Sequence, residues 1–114
     1  MGVTGLHALV YTPAADDLRT LLTDAFGFSH VDAGEGWLIF ALPPAELGVH
    51  PGSEPRYELS LMCEDITSTM SDLRAKGVTF DGEPEERGWG TAVTMILPGG
   101  VEMLLYQPHH PTAH

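Results

Sequence analysis

A β-α-β-β-β order of elements occurs twice in this chain, and that repetition constrains the fold more than any other feature. Residues 5–12, "GLHALVYT", alternate between two side-chain sets, Leu6, Ala8 and Val10 against His7, Leu9 and Tyr11, which predicts a strand. In "PAADDLRTLLTDAFGF" the period changes. Leu18, Leu21, Leu22, Ala25 and Phe26 fall on one helical face, acidic residues stand near the start, and Gly27 supplies a C-cap. Three short strand candidates follow, "FSHVDA", "GWLIFAL" and "AELGVH", separated by "GEG" and "PP". The second half repeats the order. "YELSLMC" reads as a strand and "EDITSTMSDLRAKG" as a helix with Ile66, Met70 and Leu73 on one face and Gly77 at its end; "VTFDG", "GTAVTMILP" and "VEMLLYQ" read as strands.

Residues match as well as elements. Gly27-Phe28 and Gly36-Trp37 follow His7 at nearly the offsets at which Gly77 and Gly88-Trp89 follow Glu58, and "PPAELGVHP" resembles "PGGVEMLLYQP". The second match pairs Glu46 with Glu102 and His50 with Tyr106. If each helix covers one sheet face, the helix-facing sets are Leu6, Ala8 and Val10 in one module and Leu59, Leu61 and Cys63 in the other. The opposite sets, His7, Leu9 and Tyr11 with Glu58, Ser60 and Met62, then line a cleft between two curled sheets.

At 114 residues the chain suits a single domain. Modules of about 3–51 and 56–108 precede a Pro-containing tail, 109–114, which is expected to be flexible and whose His109, His110 and His114 bind metal only adventitiously. A formal charge of −11, from 16 acidic and 5 basic residues, repels nucleic-acid phosphates and anionic lipid and attracts cations. No apolar run approaches the roughly 18 residues of a membrane span. The N-terminal segment has no signal-type block and the single Cys63 excludes an intrachain disulfide, so a reduced, cytoplasmic home is the expectation. Cys63 has helix-face parity and reads as buried and inert. The glycines of "GEG" and "PGG" belong to hairpin turns and form no phosphate cradle.

The paired modules, the "ADDLRTLLTDAFGF" helix with its turn, "CEDITSTMSDLRAKGVTF" and the "LPGGVEMLLYQP" hairpin together resemble the vicinal oxygen chelate superfamily of glyoxalases, bleomycin-resistance proteins and extradiol dioxygenases. The resemblance covers essentially the whole chain. It implies an α+β fold in which two tandem βαβββ modules form curved mixed sheets around a cleft, and a homodimer. In that superfamily the first strand of each module often opens with a metal ligand, positions held here by His7 and Glu58. It also implies two ligands from the last strands, but those positions hold Gly48 and Leu104, whose side chains cannot bind metal. Glu46, His50, Glu102 and Tyr106 lie two residues to either side of these positions and share their parity.

Two functions of different classes follow. In the first, a divalent metal enzyme, His7, His50, Glu58 and Glu102 hold Zn, Ni, Mn or Fe(II), with Glu58 or Glu102 as a catalytic base and a small oxygen-chelating substrate polarised by the ion in a lyase or dioxygenase reaction. In the second, a metal-free protein of the bleomycin-resistance kind sequesters a cationic or aromatic ligand. Tyr11, Trp37, Ser60, Met62, Trp89 and Tyr106 are the candidate substrate contacts in either case.

Overall fold

The computed structural model describes residues 7–114. It is an α+β structure in which two helices, α1 (Ala15–Asp24) and α2 (Ile66–Ala75), accompany two sheets. Strands β1 (His30–Asp32) and β2 (Leu38–Phe40) form an antiparallel hairpin. The larger sheet has the order β3 (Ser60–Met62), β6 (Val101–Pro108), β5 (Gly90–Leu97), β4 (Thr79–Arg87), with β3 parallel to β6 and the other pairs antiparallel. No helix among the described residues is long and apolar enough to cross a membrane.

Both helices start and stop where local chemistry dictates. The Asp65 carboxylate accepts from the backbone N–H groups of Thr67 and Ser68 and so caps α2, while the Ile66 N–H donates to the Gln107 side chain at 3.0 Å, tying the helix start to β6. Gly77, at φ 95°, lets the chain reverse, and the Val78 N–H returns to the Leu73 carbonyl at 3.0 Å. The start of α1 is held by Thr12. Its hydroxyl accepts from the Ala14 N–H at 3.2 Å and donates to the Pro98 carbonyl at 2.9 Å, joining the first half to the β5–β6 turn. Gly99 makes that approach possible, because a Cβ there would stand 1.8 Å from the Thr12 hydroxyl oxygen.

One apolar cluster sits beneath both helices. Leu18 of α1, Ala25 at its C-cap and Ile66, Met70 and Leu73 of α2 meet Val93, Met95, Leu97 and Leu105 of the sheet. The register explains the alignment: Val93, Met95 and Leu97 lie opposite Leu105, Met103 and Val101, so one face of the β5–β6 ladder is continuously apolar. Leu61 and Cys63 pack against the same cluster, as their parity requires, whereas Leu59 is 41% exposed.

Three features differ from the sequence reading. Residues 7–12 and 45–50 are not in strands; Ala8 and Val10 are exposed rather than packed under a helix, while Gly5 and Leu6 of that expected strand lie outside the described residues. Their alternation describes side-chain direction but supplies no partner for the backbone. The strand expected over "YELSLMC" is cut to Ser60–Met62. Conversely, β4 runs on to Arg87, through Glu83, Pro84, Glu85 and Glu86. It is an outer strand, largely exposed, and Pro84 falls where the register shifts between Asp81 and Glu85, so the missing donor breaks no regular ladder bond.

Met95 is fully buried at the centre of the cluster. Met95→Ala is expected to destabilise the fold by about 2–5 kcal/mol, read as a lower urea midpoint with an unchanged slope.

Candidate functional site

The sheet has a second face, and neither α1 nor α2 lies on it. Side chains on β6 alternate, so Glu102, Leu104 and Tyr106 point away from the core that holds Val101, Met103 and Leu105. The pairing then sets their neighbours: Ser60 and Thr94 flank Leu104, and Met62 and Ala92 flank Tyr106. Ala92 is 1% exposed although it lies outside the helix-side cluster, so this face has a covered floor of its own.

Trp89 completes the feature. It lies in the tight turn between β4 and β5, and its ring meets Tyr106 edge-on with centroids 5.1 Å apart and planes at 84°. The Arg87 guanidinium stands over the Trp89 ring, 5.6 Å from its centroid. Desolvation pushes the Tyr106 hydroxyl above its ordinary pKa, and the nearby negative charge of Glu46 adds to the effect, so this phenol stays a neutral donor and acceptor at physiological pH. Beneath, Cys63 donates to the Tyr106 carbonyl at 3.6 Å. Its burial raises the thiol pKa, an effect opposed by a Thr69 hydrogen bond and reinforced by Asp65, which suits a structural rather than a nucleophilic cysteine.

Of the six candidate contact residues, the sheet therefore brings Ser60, Met62, Trp89 and Tyr106 onto one face. Tyr11 is 86% exposed, and Trp37, 52% exposed, belongs to the turn of the β1–β2 hairpin, where the Asp32 carboxylate accepts from the Gly34 and Gly36 N–H groups. Neither Trp37 nor Trp89 enters the core.

The candidate metal ligands are not gathered. His7 is exposed, and the His50 ring nitrogen Nδ1 lies 2.8 Å from the Pro51 carbonyl. Glu58 precedes β3 and pairs with the Arg56 guanidinium in an exposed ion pair. Glu102 lies at the start of β6 opposite Ile96. No group of three His, Cys, Asp or Glu side chains among the described residues is placed to hold a metal ion, and Leu104, between Ser60 and Thr94, offers no ligand. Within one chain, the described residues do not fit a divalent cation.

Two residues that the sequence reading did not place among the contacts also reach this face. His110 from the tail approaches Tyr106, with ring centroids 6.1 Å apart, and the Glu46 carboxylate accepts from the Ala113 N–H at 2.7 Å. Nothing in the periodicity points to the tail, which follows Pro108 with no repeat partner.

Folds of this kind are known. Among solved structures the chain resembles members of the glyoxalase/bleomycin resistance protein/dioxygenase superfamily, and it has their fold. One is TnmS3, an antibiotic-binding protein of a Streptomyces species, at 22% identity and TM-score 0.69 over 95% of this chain and 98% of that one. A superfamily member from Sphaerobacter thermophilus matches at 22% identity and TM-score 0.64, covering 94% and 99% of the two chains. A lactoylglutathione lyase of Agrobacterium tumefaciens gives 12% identity and TM-score 0.65, covering 94% and 96%. No protein-family model matches the sequence, and neither does any curated protein.

Proposed function

We propose that the protein binds a small cationic aromatic molecule on the face of its four-stranded sheet opposite the helices, as a metal-free sequestering protein. The observation that carries this reading is the Trp89–Tyr106 pair, the indole exposed and the phenol partly buried, above the floor of Ala92 and beside Met62. Arg87 already occupies the place a cation takes over an indole, and the net charge of −11 draws cationic ligands toward the chain. The likeness in fold to an antibiotic-binding protein supports the same reading. The single cysteine agrees with a reducing, cytoplasmic site of action.

The binding form is a homodimer. The chain exposes 8355 Å², against about 6,100 Å² for a compact monomer of 12.3 kDa. Its radius of gyration of 15.0 Å exceeds the roughly 13.3 Å usual for this length. Leu47, Val49 and Tyr57 are more than four-fifths exposed. A second copy that covers these side chains restores ordinary burial, and an excess of this size suits an obligate interface.

A second reading keeps the metal. His7, His50, Glu58 and Glu102 from two copies would together form a ligand set for a lyase or dioxygenase, and the likeness to a lactoylglutathione lyase supports it. Native mass spectrometry tests both. A metal-free dimer is expected; one divalent ion per chain, lost in His7→Ala or Glu58→Gln, would favour the enzyme.

Ethidium, a flat cation, serves as the ligand probe. Trp89→Ala and Tyr106→Ala are each expected to weaken its binding roughly five- to thirtyfold in a fluorescence titration, the equivalent of about 1–2 kcal/mol. Unchanged affinity in both variants would contradict the assignment of the face.

A further inference from the structure

The last six residues lie across the proposed binding face, held at both ends. At the near end the His109 N–H donates to the Trp89 carbonyl at 2.9 Å. The His109 ring places Nδ1 3.0 Å from the Glu86 carboxylate and Nε2 3.4 Å from the Thr91 hydroxyl, which itself donates to Glu86 at 2.7 Å. At the far end the Ala113 N–H donates to the Glu46 carboxylate at 2.7 Å, in the first half of the chain. Between these anchors the His110 imidazole lies over Tyr106, tilted by 39°, with Nε2 3.4 Å from the Tyr106 hydroxyl.

We infer that the tail is a built-in competitor: His110 occupies the position of the ligand's own ring, and the site takes a flat nitrogen heteroaromatic that packs on Tyr106 and hydrogen-bonds its hydroxyl. This rests on the binding role of the sheet face proposed above. The fit is chemical as well as spatial. An imidazole offers a planar face to the phenol ring and a nitrogen to its oxygen, two contacts that a flat heteroaromatic with ring or amino nitrogens, ethidium among them, reproduces and an aliphatic amine does not. The Tyr106 hydroxyl, kept protonated by its surroundings, serves either partner. A ligand must therefore displace the tail, and the fraction of molecules with the tail lifted scales the apparent affinity.

Ethidium titrations of the full-length chain read this directly. Removing the competitor with His110→Ala is expected to tighten binding by about fivefold or more, whereas His110→Phe, which keeps a flat ring over Tyr106, is expected to stay within about twofold of the parent. Hydrogen exchange supplies the second readout: the His109 and Ala113 amides are expected to exchange slowly in the free protein and faster once ethidium saturates it. Equal affinity in the parent and His110→Ala, equal tightening in both variants, or tail amides that exchange freely without dye would each overturn the competitor. Failure of every chain, His110→Ala included, to bind ethidium would instead remove the binding role of the face, and the competitor with it.

Discussion

The register between β5 and β6 is the constraint on which the rest of the molecule depends. Setting Met95 opposite Met103 puts Val93, Leu97, Val101 and Leu105 on the same side, and both helices find their apolar partners there. The same register fixes the other side. Ala92 falls opposite Tyr106 and Thr94 opposite Leu104, so a slip of one residue would exchange the floor of the binding face with the core. Folding and recognition are thus two faces of one ladder, and Gly90 marks its end: a Cβ there would stand 2.6 Å from the Gln107 carbonyl oxygen, next to the turn that carries Trp89.

What holds the face open is as informative as what builds it. The helices are tethered on the opposite side, α2 through Gln107 and α1 through Thr12 and the Pro98 carbonyl, so neither lies over Tyr106. That no helix of the described residues covers the aromatic pair is a property of the topology. The exposed indole and the partly buried phenol cost solvation free energy that a ligand or a second copy can recover.

Much of this was legible in the sequence, for reasons that differ by element. The helical faces of Leu18–Phe26 and Ile66–Leu73 show because a 3.6-residue period over ten residues has few alternatives, and Gly27 and Gly77 mark their ends by backbone freedom alone. The parity of Ser60, Met62 and Tyr106 follows from strand alternation, and the sheet does place them together. Alternation names a face but not a partner, which is why residues 7–12 and 45–50 read as strands although nothing in the described chain pairs with them. Glu58 reads as an inward carboxylate only if β3 begins there; the strand begins at Ser60, and Arg56 takes the charge. The outer reach of β4, rich in Glu and interrupted by Pro84, carries no strand pattern because an exposed edge asks little of its side chains. The tail is illegible for a related reason, since its contacts are made with residues far away in sequence.

The central claim is that the sheet face around Tyr106, opposite the helices, is where ligand binds, and backbone amide chemical-shift mapping during an ethidium titration tests it most directly. The account predicts shifts concentrated at Met62, Trp89, Ala92, Leu104 and Tyr106, extending to His110. Shifts confined to the groove between α1 and the β1–β2 hairpin, around Asp16, Arg19 and His30, with the Tyr106 face unmoved, would contradict it.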